Sequence, residues 1–183
     1  MTMRMKLLAA AALAGVSAAW VTPAAAAAPN YSGVTYYGDL GYANAADSGA
    51  DISMLTGTIG ARVGEYLGGE FEVSTGLNTS SASVSGIPVK LKMNEEGALY
   101  LVGYAPVAPN ADLFAKLGFG GTNVTASVPG LKVSGEDRSV NFGGGGQYFF
   151  DAHNGVRLEY IYHSVTGGDP NISTVSISYV RNF

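Results

Sequence analysis

Beyond residue 30 the chain is written in alternation. Eight stretches place apolar and polar residues in turn, the period-two signature of strands whose two faces meet different surroundings. The first, "GVTYYGDLGYA", sets Val34, Tyr36, Leu40 and Tyr42 against Thr35, Asp39 and Gly41. "MLTGTIGARVG" sets Leu55, Ile59, Ala61 and Val63 against Thr56, Thr58, Gly60 and Arg62, and "GGEFEVSTGL" sets Phe71, Val73 and Leu77 against Glu70, Glu72 and Ser74. The fourth stretch, "GALYLVGYA", is apolar on both faces, so its inward side is left open. "DLFAKLGFGG" opposes Leu113, Ala115, Leu117 and Phe119 to Asp112, Lys116 and Gly118. "SVNFGGGGQYFF" opposes Val140, Phe142, Tyr148 and Phe150 to Asn141, Gly143, Gly145 and Gln147. "GVRLEYIYHS" opposes Val156, Leu158, Tyr160 and Tyr162 to Arg157, Glu159 and His163. The last stretch has Val175, Ile177 and Tyr179 on one face and Ser176, Ser178 and Asn182 on the other. No sustained 3.6-residue pattern competes with these, and the pattern predicts an all-β chain.

The links between stretches alternate as well. Tight ones ("GEYLGG", "APVAPNA", "DAHNG") follow the second, fourth and sixth stretches. Longer polar ones ("NAADSGAD", "NTSSASVSGIPVKLKMNEE", "NVTASVPGLKVSGEDR", "TGGDPN") follow the others. Short turns at one end and longer loops at the other are the layout of an up-and-down barrel in an outer membrane. The sequence ends "SISYVRNF", on the aromatic Phe183. Chain ends normally fray, so an apolar end is expected only where something ties it down.

The N-terminal "MTMRMKLLAAAALAGVSAAWVTPAAAAAPN" has a basic start at Arg4 and Lys6, an apolar stretch from Leu7 to Val21 and an Ala-rich tail. That is the grammar of a secretory signal peptide, with cleavage expected around Ala26 to Ala28. The apolar run falls short of the roughly 20 residues that a spanning helix needs. Residues 1–28 therefore read as a cleaved signal and 29–183 as one domain. Without Arg4 and Lys6 the 10 basic residues fall to 8 against 14 acidic ones, a formal charge of −6. Such an acidic balance argues against a nucleic-acid partner. Cys is absent, so backbone pairing and packing must hold an exported domain together without disulfides. Gly is abundant, at 26 residues, without the triplet period of collagen.

Alternation alone fits a soluble lipocalin-like carrier too, with the charged face outside. Three features favour lipid against the apolar face: aromatics near strand ends, Gly on the polar face as a crowded lumen requires, and an even strand count that closes without an edge. The charged face, with Asp39, Arg62, Glu70, Glu72, Lys116, Arg157 and Glu159, is then the interior. An isolated ion there is far too costly, so these groups are expected to pair. A turn centred near Tyr66 or Leu67 would bring Arg62 opposite Glu70 or Glu72. A link around Ala152 and His153 would bring Gln147 opposite Glu159 with Arg157 beside it, within reach of Lys116.

The signal peptide, the eight-strand meander, "LFAKLGFG", "GVRLEY" and the terminal Phe183 together resemble the small bacterial outer-membrane β-barrel family of the OmpA membrane domain, OmpX and Opa-type proteins. The resemblance implies an eight-stranded antiparallel transmembrane β-barrel in the outer membrane, with membrane lipid as its surroundings. It also implies that the C-terminal aromatic is read by the barrel-assembly machinery, with Phe183 in that position and Tyr179 further up the same face. Arg181 stands where such proteins carry an apolar residue.

Candidate chemistry is sparse. His163 and Ser164 invite comparison with the lipid A deacylases among similar barrels, whose His and Ser lie two apart. Here they are adjacent, hence on opposite faces, and the next acid is Asp169. A hydroxyl nucleophile needs its base in reach and a third group to orient that base, so no enzyme is expected. Two distant His without Cys make no metal set. "FGGGGQ" lacks the Lys-Ser/Thr of a phosphate loop, and no cofactor is implied. An eight-stranded barrel is filled by its own side chains. The expected role is an envelope one, displaying four loops to an extracellular ligand or host surface. The competing reading is a narrow channel or a binder of small or apolar solutes.

Overall fold

The computed structural model describes residues 28–47, 50–77, 80–84, 87–128, 131–165 and 172–183. The expected signal segment, apart from Ala28, and Asp169 lie outside the described residues. Among the described residues nine strand segments form one antiparallel sheet: β1 (Val34–Asp47), β2 (Ala50–Val63), β3 (Leu67–Gly76), β4 (Ser80–Val84), β5 (Ile87–Ala108), β6 (Ala111–Val128), β7 (Leu131–Phe149), β8 (Asn154–Val165) and β9 (Ile172–Asn182). Both β3 and β4 pair with β5, so β4 continues the stave of β3, and the sheet closes as an eight-stranded up-and-down barrel.

Three of the longer polar links of the sequence differ from the loops expected of them, while the fourth, "TGGDPN", lies outside the described residues. The three form paired hairpin arms: β4 pairs with β5 from Ser80↔Leu91 to Val84↔Ile87, and β6 with β7 as far as Val128↔Leu131. β1 and β2 likewise pair up to Asp47↔Ala50. The reason is visible in "IPVKLKM" and "NVTASV", where apolar and polar residues still alternate although the composition is polar. A bulge between Met93 and Glu95 marks where β5 passes from barrel wall to hairpin.

The register makes the barrel staggered. One row of cross-strand partners runs Tyr148, Val156, Tyr179, Leu40, Gly57, Val73, Gly97, Gly121 and Arg138. It leaves β7 at Tyr148 and returns to it at Arg138, ten residues nearer the hairpin end (148 − 138). A row perpendicular to the strands therefore climbs the wall as it circles it, as a tilted-strand barrel demands.

The two faces settle the lipid question. The outward face is a continuous apolar belt that includes Ile59, Leu99, Leu101, Leu117 and Phe119, the last 71 % exposed. Water-soluble monomers rarely expose apolar patches of that extent. Inside lie Arg62, Glu70, Lys116, Arg157 and Glu159, all buried. This is the reverse of a soluble carrier. The fourth sequence stretch finds its inward side here, with Ala98, Tyr100, Val102 and Tyr104 packed in the lumen against Phe114 and Ile161.

At the other end of the barrel the turns are tight. Gly64 takes φ +64° in the turn after β2, a conformation that costs glycine little. In the turn after β7 the Asp151 carboxylate accepts from the backbone N–H groups of His153 and Asn154 at 2.8 and 2.7 Å. The Asn154 side chain and these N–H donors hold the Asp151 carboxyl below its ordinary range. The terminal strand is tied here too, with Phe183 N–H donating to Tyr36 O at 2.9 Å.

Candidate functional site

The interior is built by rows of inward residues, two apart on each strand. Nearest the turns, Arg62 of β2 is buried to 1 % exposure between the rings of Tyr31 and Tyr104, with its guanidinium carbon 3.5 and 4.2 Å from their centroids. Its two terminal nitrogens grip both oxygens of Asp112 on β6, at 2.8 and 3.1 Å, and Nη2 also donates to Glu65 O. A planar guanidinium suits such a two-point grip. Burial, opposed by Arg62, pushes the Tyr31 hydroxyl up to about 12.

The sequence-based pairing differs from this. Arg62 stands opposite Gly68 in the ladder, while Glu70 stands opposite Gly60 and Glu72 opposite Thr58. The turn spans Gly64 to Tyr66, centred on Glu65, one or two residues short of the expected centre at Tyr66 or Leu67. That shift moves each inward partner by two or four residues, so Arg62 finds its carboxylate across the lumen. Asp112, absent from the expected charge network, is therefore one of its members.

From Asp112 the network climbs. Gln147 Nε2 donates to Asp112 Oδ2 at 2.8 Å, and Gln147 Oε1 accepts from Arg157 Nε and Nη2 at 3.3 and 3.1 Å. Gln147 is the ladder partner of Arg157, not of Glu159, because the β7–β8 turn centres on Ala152, and only a centre on His153 would pair Gln147 with Glu159. Arg157 Nη1 meets Glu70 Oε1 at 2.7 Å and Asp39 Oδ2 at 3.2 Å. Glu70 Oε1 accepts from the Tyr37 hydroxyl at 2.5 Å, which lies 2.6 Å from the Tyr104 hydroxyl. On the far side of Glu70, Lys116 Nζ sits 2.7 Å from Glu70 Oε2, 2.9 Å from Glu159 Oε2 and 3.5 Å from Glu72 Oε2. The seven residues Asp39, Arg62, Glu70, Glu72, Lys116, Arg157 and Glu159 thus join through Asp112 and Gln147. Paired this way, each desolvated ion keeps an opposite partner.

Above Lys116 the polarity thins. Asn141 Nδ2 donates to the Tyr100 hydroxyl at 3.1 Å. His163 Nε2 lies 3.0 Å from Thr174 Oγ1, and Nδ1 lies 3.3 Å from Glu96 Oε1. Ser164, one residue on, belongs to the opposite face. The mouth is lined by Ala43, Ala45 and Met54, with Ile52 and Ile172 against them. Among the described residues no three His, Cys, Asp or Glu side chains come together as a metal site.

Interior glycines make room for interior rings. A Cβ added at Gly118 would meet Tyr100 Cδ1 at 2.6 Å, at Gly145 Phe114 Cζ at 2.8 Å, and at Gly155 Phe149 Cδ1 at 2.9 Å. At Gly60 it would overlap the Tyr37 ring. Sequence reading finds these glycines on the polar face but not their rings. Phe114, Phe149, Tyr37 and Tyr104 are inward aromatics in strands whose outward positions are equally apolar, and alternation gives no signal for them.

The residues of the expected assembly signal lie on the outer surface. Tyr179 is outward, its hydroxyl bonded to Asn154 Oδ1, and Phe183 is 75 % exposed.

Comparison with known proteins agrees with this architecture. The family model described as outer membrane protein β-barrel domain matches residues 8–183. The chain is similar in fold to Neisserial surface protein A, with TM-score 0.62 and 14 % identity over 83 % of this chain and 98 % of that one. It is similar to Ail of Yersinia pestis, solved with the heparin analogue sucrose octasulfate, at TM-score 0.57 and 13 % identity over 82 % and 97 % of the two chains. The N-terminal barrel of Pseudomonas aeruginosa OprF aligns at TM-score 0.55 and 12 % identity, over 80 % and 97 %. Among curated proteins none matches in sequence.

Proposed function

Since the chain belongs to the outer membrane protein β-barrel family and resides in the bacterial outer membrane, we propose that it is a closed barrel that displays its hairpins outside the cell and passes no solute. The observation that carries this reading is the network from Arg62 to Glu159, which crosses the lumen through Asp112, Gln147, Arg157, Glu70 and Lys116. An eight-stranded wall leaves space for side chains alone, and here those side chains are bonded to one another. His163 takes a structural place at the lumen mouth, held by Thr174 and Glu96. The hairpins β1–β2, β4–β5 and β6–β7 form the outer surface. They are the part available to a ligand or host surface, and the sulfated ligand in the Ail structure makes sulfated glycans the first class to try.

Two measurements check this. Purified protein in planar bilayers should show little conductance; a large steady current would mean an open lumen and overturn the closed reading. The chain has no Cys, so single cysteines can be placed freely. One at Ser83 should react with a membrane-impermeant reagent on whole cells and one at Tyr66 should not. Equal labelling would overturn the orientation.

We further infer that the exported chain begins near Ala28 and that Phe183, with Tyr179 on the same face, addresses it to the barrel-assembly machinery. Their outward exposure at the end of β9 leaves both rings accessible. Deleting Phe183 is expected to cut outer-membrane protein at least tenfold and leave unfolded chain in the periplasm or degraded. Normal outer-membrane levels of the truncated chain, by fractionation and gel mobility, would remove that role.

A further inference from the structure

The turn end of the lumen is stopped by a residue that belongs to no strand. Before β1 the chain folds across that end, outside every ladder. Ser32 N–H donates to Asn30 Oδ1 at 3.0 Å, and Gly33 O accepts from Gly64 N–H of the β2–β3 turn at 2.7 Å. These bonds bring the Tyr31 ring onto the Arg62 guanidinium, whose carbon lies 3.5 Å from the ring centroid. Behind the ring is a closed hollow that Tyr31 shares with Arg62, Val180 and Asn182.

Two opposed effects meet at this contact. A ring stacked on a cation is held by a modest attraction. Against it, Arg62 Nε, Asn182 Nδ2 and the Tyr31 hydroxyl are buried without a hydrogen-bond partner, and the hollow is too tight to admit a water that could serve them. Polar groups buried in that way carry a desolvation penalty, which lifting the ring would relieve. Little else holds the segment. With the chain start near Ala28 proposed above, Tyr31 stands among the first residues of the exported chain, where order has to be supplied by contacts.

We propose that residues 29–33 are a lid on the turn end of the lumen, closed by Tyr31 against Arg62 and able to lift while the barrel stays folded. Seated, the lid keeps the Arg62–Asp112 pair dry. Lifted, it admits water to Arg62 Nε and Asn182 Nδ2. Segments with few contacts open in this way at far smaller cost than global unfolding. The lid goes beyond the closed-barrel reading, since the ion pairs of Arg157 and Lys116 lie further up the lumen and do not involve it.

The test places one cysteine on the wall of the hollow. Val180 is 1 % exposed and the chain has no Cys. Val180→Cys in detergent micelles, treated with a small water-soluble methanethiosulfonate and followed by mass spectrometry, is expected to react slowly. Adding Tyr31→Ala should speed the reaction about tenfold, equivalent to about 1.4 kcal/mol of lost seating, within the range for a ring on a cation. Adding Tyr31→Phe should not speed it, because the ring and not the hydroxyl closes the lid. Asn182→Cys, on the same hollow, should follow the same order. Met54→Cys, buried at the hairpin end, reports general loosening and should not respond to Tyr31. Gel mobility of unheated samples shows that each variant is folded. If Tyr31→Ala leaves the rates at positions 180 and 182 unchanged, or raises the rate equally at position 54, there is no lid. In planar bilayers Tyr31→Ala should still conduct little. A steady current that appears only in that variant would keep the lid and overturn instead the part given to the ionic network in closing the lumen.

Discussion

Lys116→Ala is expected to lower the unfolding free energy of the barrel by about 3–5 kcal/mol, the usual cost of stranding buried charges. Lys90→Ala, on the β4–β5 hairpin, should change it by less than about 0.5 kcal/mol. Lys116 Nζ is fully buried and meets three carboxylates, Glu70, Glu159 and Glu72. Glu70 would survive its loss, since Arg157 holds its other oxygen at 2.7 Å. Glu159 and Glu72 have no second ion pair among the described residues, so they carry the penalty. Glu159→Gln in the Lys116→Ala background should therefore recover part of the loss, whereas Glu70→Gln should deepen it by weakening the hold on Arg157. Replacing the group together (Lys116→Met, Glu72→Gln, Glu159→Gln) should come close to wild type, because a neutral, filled interior has no ions to desolvate. Urea titrations in detergent, followed by tyrosine fluorescence and gel mobility, give the midpoints. If Lys116→Ala and Lys90→Ala unfold together, the interior charges are solvated by open water and the plug does not exist.

What the sequence could and could not disclose follows from the same geometry. Period two assigns a residue to a face but says nothing of its height on the next strand. Eight strands with a polar and an apolar face are legible at Leu55 to Val63 or Val156 to Tyr160, where the alternation is unbroken. The partner of Arg62 is not, because it depends on whether the turn centres on Glu65, Tyr66 or Leu67, and on a stagger that brings β6 across the lumen. Strand β5 is apolar on both faces because Tyr100 and Tyr104 reach inward to Asn141 and Tyr37, and a tyrosine reads as apolar whichever way it faces. The hairpin arms were hidden by composition. Ser, Thr and Lys made "NTSSASVSGIPVKLKMNEE" look like loop, while Ile87, Val89, Leu91 and Met93 kept the strand's period beneath it.

The interior rings set the other large effect, which should appear at a residue with no side chain. Gly60→Val is expected to cost about 3–6 kcal/mol, from overpacking and from a lost hydrogen bond to a carboxylate. Gly60 is the ladder partner of Tyr37, whose ring crosses it so closely that an added Cβ would overlap its outer carbons and oxygen. A long side chain could swing aside, but this ring has little freedom. Phe149 and Val180 pack with it, and its hydroxyl is bonded to Glu70 and Tyr104. Moving the ring removes a donor from Glu70, the carboxylate that joins Arg157 to Lys116, so a steric fault becomes an electrostatic one. An added Cβ at Gly97 on the outward face meets no atom within 4 Å, so Gly97→Val should be neutral or slightly stabilising, as β-branching favours a strand. The decisive comparison uses Tyr37→Ala. In that background Gly60→Val should cost at least 1 kcal/mol less than in wild type, a coupling of the size seen between residues in contact. Additive midpoints, or a Gly60→Val barrel as stable as Gly97→Val, would mean that the ring does not depend on the glycine and that the interior is looser than this packing requires.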